Sequence, residues 1–527
     1  MKIFTFSPFG YEGAVVSVDV DLRRGIPAVD VVGLADNAVK ESRERMRSAI
    51  LNSGYEFPKE RVLISLSPAD MRKEGAGFDL PIAVAVLYAE RIKKTSDDQQ
   101  TMPDTADSVL VMGELDLTGN VRSVRGVHAA VLTAKENGIS CCIVPKGNYQ
   151  EAVVPQMRIF GVENLKEAFE CLNRIPDSKD LFKTEPAELQ SEYEDDVCFA
   201  PLSEREDFST VKNQGTLLRG LQIAAAGFHN LMVYGPPGCG KTLAVQRLPS
   251  ILPMLTLAES QTVTRIYSLA GLLPAGSSRI RQRPFRQPHQ TSSLEGMSGG
   301  GVLCRPGEIS LAHNGVLFLD EAAEFRTSVL QALRIPLETG SVTLSRAGRH
   351  TTYPANFQLI IATNPCPCGN YGNPGKICLC SARSVEFYWK KFSAPLLDRV
   401  DIRIPVFNNS ESVPESDSKY SSYNNISTEE LRQDIARAVK TQRQRQGKMN
   451  ALLSPEEVRK SIRLDKACED LLEESCLEEN FSARGMCSIK KLARTIADMA
   501  GTEDILPEHI QEAVFFRKNT GGLDFCL

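Results

Sequence analysis

A glycine-rich loop constrains the fold of this chain more than any other stretch. An apolar run leads into Gly235-Pro-Pro-Gly-Cys-Gly-Lys-Thr242, the spacing of a P-loop, and a helical pattern follows it. Gly238 and Gly240 let the backbone turn its N–H groups toward phosphate oxygens, and the helix N-terminus adds partial positive charge. Lys241 can reach the β- and γ-phosphates, and the Thr242 hydroxyl can ligate Mg²⁺. The predicted phosphate-binding residues are Gly235, Pro236, Pro237, Gly238, Cys239, Gly240, Lys241 and Thr242.

A chance glycine-rich turn would lack the other groups of a nucleoside triphosphatase site, and candidates for those groups follow along the chain. An apolar run ends in Asp320 and Glu321, which predicts a Walker B pair: Asp320 for the Mg²⁺ water shell and Glu321 as base for the attacking water. Asn364 ends the next buried strand and could contact the γ-phosphate. Arg399 could serve a neighbouring subunit's site, since its charge is permanent and its planar fork contacts two phosphate oxygens. Arg484 opens an amphipathic helix and could also reach the γ-phosphate.

Length and composition limit the class of protein to which the chain can belong. At 527 residues the chain is too long for one core. A net charge of −5 gives no global basic footprint, so any nucleic-acid contact must come from a local patch. The 14 cysteines without an export signal predict a reducing compartment, the cytoplasm. The longest apolar run, 80–89, is about half a membrane span, so no membrane contact is expected.

The sequence predicts an α/β protein in five parts. Residues 1–174 alternate strands and helices, and 175–200 form an acidic linker. A P-loop core with a parallel sheet flanked by helices follows at 201–406, then a connecting loop at 407–427 and a helical lid at 428–527, whose first helix Thr428 would cap.

A cysteine cluster interrupts the predicted core. Cys366, Cys368, Cys378 and Cys380 lie within a short turn-rich stretch, which suggests a four-thiolate Zn²⁺ knuckle. The spacing here is C-x-C, while zinc sites usually have C-x₂₋₄-C. A loop of free thiols is therefore the alternative.

A basic β-hairpin is predicted shortly before that cluster. Residues 337–343 and 349–353 flank Leu344-Ser-Arg-Ala-Gly348. Arg346 and Arg349 could follow DNA phosphates inside a ring pore, a contact indifferent to base sequence. The hairpin could equally well only brace a subunit interface.

The N-terminal part resembles the proteolytic domain of Lon-type proteases. The similar stretch is Gly113-Glu-Leu-Asp-Leu-Thr-Gly-Asn-Val-Arg-Ser-Val-Arg-Gly-Val-His128. The resemblance implies a catalytic serine near Lys73-Glu-Gly-Ala-Gly-Phe-Asp79, which has no hydroxyl or thiol, and a lysine where His128 stands. A serine that is absent cannot be activated. We interpret the region as a non-proteolytic module for assembly or partner contact, and His128 as a packed or surface histidine.

The rest of the chain resembles AAA+ ATPases of the magnesium-chelatase-like branch. The resemblance rests on the P-loop, the Walker B pair and the stretches Arg283-Pro-Phe-Arg-Gln-Pro-His289, Ser345-Arg-Ala-Gly348, Asn364-Pro-Cys-Pro-Cys-Gly369 and Pro395-Leu-Leu-Asp-Arg399. Val32-Gly-Leu-Ala-Asp36 and Gly77-Phe-Asp-Leu-Pro81 narrow it to the YifB/ComM family. This implies a homo-hexameric motor that uses ATP and Mg²⁺, with a Lon-like domain, acting as a DNA helicase in branch migration during natural transformation. The family commonly has a second histidine where Gln290 stands, and no assigned role depends on it.

Two other functions compete with a DNA motor. A protein-remodelling ATPase without a DNA substrate, or a metal-insertion subunit, would share the same ATP site. Protein-threading rings usually present an aromatic pore loop, for which Phe285 is a weak candidate, and chelatase subunits lack the Lon-like part. Proteolysis is disfavoured because the serine is missing.

Overall fold

The computed structural model describes only part of the chain. The described residues are 1–33, 37–68, 73, 76–97, 108–175, 197–202, 207–212, 214–273, 279–346, 349–371, 376–406, 420, 423 and 426–518. The predicted acidic linker and connecting loop lie mostly outside these residues, as do 74–75 of the Lon-like serine stretch and the tip of the basic hairpin, 347–348. The predicted boundaries of the five parts stay predictions.

The N-terminal part contains a mixed sheet with helices on both faces. Its strands are β1 (Lys2–Ser7), β2 (Ala14–Arg23), β3 (Ala28–Val32), β4 (Arg61–Ser67), β5 (Ser108–Val111), β6 (Glu114–Leu115), β7 (Val121–Arg122), β8 (Cys141–Pro145) and β9 (Arg158–Val162). Its helices are α1 (Asn37–Asn52), α2 (Asp79–Asp97), α3 (Val127–Glu136), α4 (Tyr149–Ala152) and α5 (Leu165–Arg174). The sheet order among the described strands is β3-β4-β2-β1-β5-β8-β9, with β2 antiparallel to β1 and β4.

Alternation along the central strands gives this sheet a core on each face. On β5, Val109 and Val111 belong to the cluster that α1, α2 and α5 cover, while Leu110 belongs to the cluster under α3. Because successive side chains of a strand point to opposite faces, the two clusters lie on opposite sides of the sheet.

A second sheet follows, and it is parallel. Its strands are β10 (Leu231–Tyr234), β11 (Phe285–Arg286), β14 (Val316–Leu319), β17 (Gln358–Thr363) and β18 (Ile402–Pro405). The order in the described part is β11-β14-β17-β10-β18. Every residue of β10, β14 and β17 is buried, as expected for a parallel sheet covered on both faces.

Short strands and helices complete the core. The strands are β12 (Gly299–Gly300), β13 (Arg305–Pro306), β15 (Ser341–Arg346) and β16 (Arg349–Pro354). The helices are α6 (Gly215–Gly227), α7 (Lys241–Gln246), α8 (Leu257–Ala270), α9 (Leu294–Ser298), α10 (Glu308–Leu311), α11 (Thr327–Ala332), α12 (Pro336–Thr339), α13 (Ala382–Lys390) and α14 (Ala394–Leu397). The predicted hairpin forms from β15 and β16, but its first strand begins at Ser341, because 336–339 form α12 and Gly340 ends that helix in a left-handed conformation.

The C-terminal part is helical, as predicted. Its helices are α15 (Thr428–Gln446), α16 (Pro455–Ser461), α17 (Lys466–Glu478), α18 (Ala483–Ala500) and α19 (Pro507–Arg517). These helices share one hydrophobic cluster with a face of the parallel sheet. The prediction that Thr428 caps α15 is wrong: Ser427 accepts from the Glu430 N–H in a capping box. Thr428 instead bonds to Asp207 at 2.8 Å.

The β1–β2 turn (residues 8–13) joins the N-terminal sheet to the core. Arg265 of α8 donates to the carbonyl oxygens of Tyr11 (3.1 Å) and Glu12 (3.0 Å) and lies over the Tyr11 ring. The Tyr11 N–H donates to the Thr351 hydroxyl at 2.9 Å, and its ring packs edge-on against Tyr353 of β16. The turn therefore contacts the base of the basic hairpin.

The predicted fold class is confirmed: an α/β protein with a parallel sheet flanked by helices and a C-terminal helical part. Within the described residues, no helix combines the length and apolar character needed to cross a membrane.

Candidate nucleotide-binding site

Adjacent strands of the parallel sheet bring the predicted groups to one edge. The P-loop follows β10, the Asp320–Glu321 pair follows β14, and Asn364 follows β17. Since carboxyl ends of parallel strands meet at one edge, these residues surround a common cavity of about 350 Å³. Its lining residues include Pro237 to Leu243, Asp320, Glu321 and Asn364.

The loop conformation requires glycine. Gly240 caps α7 with φ 83°, the left-handed region that residues with a Cβ rarely adopt. A Cβ on Gly235 would lie 2.1 Å from the carbonyl oxygen of Val406, which is backbone and cannot move aside. The loop is therefore held tightly enough for its N–H groups to line an anion site.

Lys241 lies at the centre of the site. Its ammonium donates to the carbonyl oxygens of Gly235 (2.6 Å) and Pro236 (2.8 Å) and to Asn364 Oδ1 (3.3 Å). Burial lowers the pKa of Lys241, because a charged form loses hydration there. The lysine and the asparagine predicted to contact phosphate are thus in direct contact with each other.

Hydroxyl and carboxylate oxygens lie beside the lysine. Thr242 Oγ1 donates to Asp320 Oδ1 at 3.1 Å, and the Glu321 N–H donates to the same oxygen at 3.0 Å. Hard oxygen ligands of this kind suit Mg²⁺, so Thr242 and Asp320 are the residues that would hold it. Glu321 has a left-handed backbone (φ 47°), and its side chain is exposed to the cavity.

Gln290 is a site residue that sequence reasoning missed. Its amide Nε2 donates to Glu321 Oε2, directly at the predicted catalytic base. The segment that carries it is anchored by Arg286, whose guanidinium pairs with Glu308 at 2.7 Å. The one signal in the sequence is that Gln290 stands where the family commonly has a second histidine, a position to which the sequence assigns no role. The contact places Gln290 at the predicted base.

Arg399 and Arg484 lie at a different cavity, of about 800 Å³, between the core and the C-terminal helices. Both pair with Glu338, Arg399 at 2.8 Å and Arg484 at 3.9 Å, and Lys490 and Lys491 line the same cavity. Neither arginine lines the P-loop cavity. The chain therefore assembles the P-loop, the carboxylate pair and Asn364, but not the two predicted arginines.

The cysteine cluster forms beside the site. The Sγ atom of Cys366 lies 3.4 Å from that of Cys368 and 3.7 Å from that of Cys378, and all four cluster thiols, Cys380 included, lie within 4.8 Å of one another. All four are free thiols. Four thiolates around Zn²⁺ at about 2.3 Å would lie about 3.8 Å apart, close to the observed spacing.

Toward its tip, the basic hairpin is exposed in the part that the structure describes. Arg346 is exposed at the end of β15, opposite Arg349 in the register. The side chain of Arg349 lies outside what the structure describes.

His128 is fully buried, with Nδ1 2.6 Å from the Glu151 carbonyl oxygen, and burial lowers its pKa to about 4. It is a packed, neutral histidine, the first of the two alternatives that the sequence left open.

The parallel sheet, the P-loop with its carboxylate pair and the C-terminal helices together define an AAA+ P-loop protein. Comparisons with known proteins agree with this class. The family models described as "Magnesium chelatase, subunit ChlI", "Subunit ChlI of Mg-chelatase" and "Magnesium chelatase, subunit ChlI C-terminal" match residues 207–413, 18–148 and 425–517.

Whole-chain relatives narrow the class further. "Uncharacterized protein YifB" of Escherichia coli is 36% identical over 522 residues, covering 98% of this chain and 96% of the relative. "Competence protein ComM" of Haemophilus influenzae is 34% identical, covering 98% and 97%. The "Magnesium-chelatase 38 kDa subunit" of Rhodobacter capsulatus is 23% identical over only 30% of this chain and 50% of the relative. The chain belongs to the YifB/ComM family of magnesium-chelatase-like AAA+ ATPases.

Proposed function

We propose that this protein is an ATP-hydrolysing AAA+ motor that acts on DNA. The observation that carries the ATPase part is the cavity in which Lys241, Asp320, Glu321 and Asn364 meet the P-loop. Lys241 binds the triphosphate, Asn364 orients the γ-phosphate or the water, and Glu321 takes the proton of that water. Bound Mg²⁺ would neutralise developing phosphate charge from its place at Thr242 and Asp320.

Assembly into a homo-hexamer is part of this proposal. Among the residues that the structure describes, no arginine lines the P-loop cavity, while Arg399 and Arg484 share Glu338 at the second cavity. A neighbouring subunit could bring these arginines to the triphosphate, where their charge would stabilise the transition state. We therefore propose that each ATP site is completed across a subunit interface.

The DNA part of the proposal rests on the exposed Arg346 and on the family resemblance. The net charge of −5 leaves binding to a local patch, and the hairpin supplies one. A ring of such hairpins would contact phosphates independently of base sequence. The alternative is a protein-remodelling ATPase with no DNA substrate.

The test is ATP turnover at low salt with and without single-stranded DNA. DNA should stimulate ATP turnover by the wild type, and Arg346→Ala/Arg349→Ala should lose this stimulation. In a DNA-binding titration of the same variant, the slope of log K against log[salt] should become shallower by about 0.7 for each phosphate contact removed. Arg122→Ala/Arg174→Ala, which removes arginines 66% and 77% exposed in the N-terminal part, is the matched control. Stimulation by an unfolded protein but not by DNA would favour the remodelling alternative.

We also propose that Cys366, Cys368, Cys378 and Cys380 hold one structural Zn²⁺, which would crosslink the first cysteine pair to the second. The Sγ atoms of Cys366, Cys368 and Cys378 lie 3.4 to 3.7 Å apart, and all four lie within 4.8 Å of one another, which supports this. The cytoplasm, where thiols stay reduced, is the expected location. Protein purified without chelator should contain about one zinc per chain, and Cys378→Ser/Cys380→Ser should contain none. Zinc-free wild type that cannot be loaded with zinc would contradict the proposal.

We infer that the N-terminal part does not cleave peptides. His128 stands where the resemblance places the catalytic lysine, but it is fully buried with Nδ1 2.6 Å from the Glu151 carbonyl oxygen. Burial lowers its pKa to about 4, so it is a poor general base. A casein-type substrate should stay intact. Ser65 and Ser67 lie at the end of β4, shortly before the 73–79 stretch, and cleavage abolished by changing either of them would contradict the inference.

A further inference from the structure

We propose that Zn²⁺ held by the four cysteines positions the ATP site, so that metal occupancy controls ATP turnover and not only local folding. The knuckle comprises the described residues around these cysteines, 366–371 and 376–380. This inference rests on the proposed zinc site and goes beyond it, because a purely structural zinc could lie anywhere in the fold. Two independent contacts connect the knuckle to the catalytic groups.

The first contact runs along the chain. Cys366, the fully buried ligand, follows Asn364 by two residues, and Asn364 Oδ1 accepts from Lys241 at 3.3 Å. The intervening Pro365 carbonyl accepts from Trp389 Nε1 at 3.0 Å, so the backbone between them is fixed on its other side. A shift of the first ligand would therefore move the amide that contacts Lys241.

The second contact joins the knuckle to the P-loop through space. Gly369 lies in the turn between the first two ligands and the rest of the knuckle, and its N–H donates to the Cys366 carbonyl at 3.0 Å. A Cβ built on Gly369 would lie 2.6 Å from Cδ and 3.1 Å from Cγ of Pro237. The knuckle backbone thus packs directly against the loop that holds the phosphates.

The metal would make these contacts rigid. Without it no crosslink joins the Cys366–Cys368 pair to the Cys378–Cys380 pair, and more conformations become available to the described turn at 366–369. Catalysis is sensitive to such looseness, since a displacement of about 1 Å can cost roughly 100-fold in rate. The expected signature is lost turnover with retained nucleotide binding, because most binding contacts come from the P-loop itself.

Gly369→Ala tests the coupling with all four thiols in place. Its Cβ clashes with Pro237 and its φ of +76° is strained, so turnover should fall about tenfold or more while zinc stoichiometry stays at the wild-type value. Gly447→Ala is the matched control: its φ is +73°, the same strain, but nothing lies within 4 Å of the added Cβ. Turnover of Gly369→Ala equal to that of Gly447→Ala, with both proteins folded, would overturn the inference.

Reversible metal removal provides a second test, which uses the wild-type protein and therefore does not depend on whether a variant folds. Chelator-treated wild type should lose turnover, keep binding a fluorescent ATP analogue, and recover turnover when Zn²⁺ is added back. Unchanged turnover of zinc-free protein would overturn the coupling and leave the zinc site standing. Absence of zinc from active wild type would overturn both, and absence of ATP turnover from zinc-loaded wild type would instead overturn the proposed ATPase.

Discussion

Asp320 and Glu321 are neighbours in sequence, yet their carboxylates have different surroundings. Asp320 Oδ1 accepts hydrogen bonds from the Thr242 hydroxyl and from the Glu321 N–H, and these bonds orient the carboxylate toward the place where Mg²⁺ would bind. Glu321 is exposed to the cavity and contacts the Gln290 amide. The two neighbouring side chains thus point in different directions, because the left-handed backbone of Glu321 at the strand end turns its side chain away from that of Asp320. This difference is consistent with the separate roles proposed for them.

Glu321→Gln should leave nucleotide binding intact and lower ATP turnover roughly 100-fold or more, since the amide cannot accept the proton of the attacking water. Binding of a fluorescent ATP analogue and steady-state phosphate release are the measurements. Glu324→Gln, an exposed carboxylate three residues on, is the control. Near-normal turnover of Glu321→Gln would assign the base elsewhere.

Gln290→Ala should lower turnover about tenfold without changing nucleotide affinity, because a hydrogen bond to a charged group contributes about 1.5–3 kcal/mol. Gln290→His, which restores the family's common residue, should recover most of the rate. The measurement is again turnover against nucleotide affinity, with the exposed Gln282→Ala as control. Equal losses from the alanine and histidine variants would argue against a positioning role.

At the scale of elements, the sequence predicted the buried strands well, but it did not predict the side-chain contacts between residues that are distant along the chain. The apolar runs at β10, β14 and β17 identify a parallel sheet because both faces of such strands are covered. The polar residue after each strand could therefore be assigned to one edge. The contacts of Gln290 with Glu321 and of Glu338 with both arginines could not be predicted, since they join residues distant in sequence.

Helix ends show the same limit. Either Ser427 or Thr428 can cap a helix, and sequence alone does not choose between them. The structure chooses because Asp207 takes the Thr428 hydroxyl, at 2.8 Å, and leaves Ser427 for the cap. A tertiary contact thus decided a local question.

That contact predicts a pH dependence. Burial raises the pKa of Asp207, but hydrogen bonds from Ser209 and Thr428 outweigh it and hold the pKa at about 2, below the ordinary 3.8. A lowered pKa contributes stability above pH 3.8 that is lost as the pH falls toward 2. The melting temperature of Asp207→Asn should therefore lie below that of wild type at pH 6, and the difference should shrink between pH 4 and pH 2. A difference independent of pH would contradict the assignment.

At the scale of the whole molecule, Arg265 joins the N-terminal sheet to the ATPase core. Its guanidinium binds the carbonyl oxygens of Tyr11 and Glu12 and the Thr133 hydroxyl, and Tyr11 contacts the hairpin base. The N-terminal part thus contacts the base of the hairpin that is proposed to contact DNA.

Arg265→Ala should destabilise the protein by about 2 kcal/mol, because buried hydrogen bonds to a charged group are lost. Amide hydrogen exchange should quicken in the β1–β2 turn and in β16, and Arg305→Ala, an exposed arginine, should change neither. Faster exchange in the turn without any change in β16 would show that the two are not coupled.

Co-expression of Lys241→Ala with Arg399→Ala tests most directly whether each ATP site is completed by a neighbouring subunit. Each variant alone should be nearly inactive. With random mixing, about a quarter of interfaces combine an intact Lys241 with an intact Arg399, so the mixture should regain about a quarter of wild-type turnover. Activity no greater than that of the separate variants would contradict the claim.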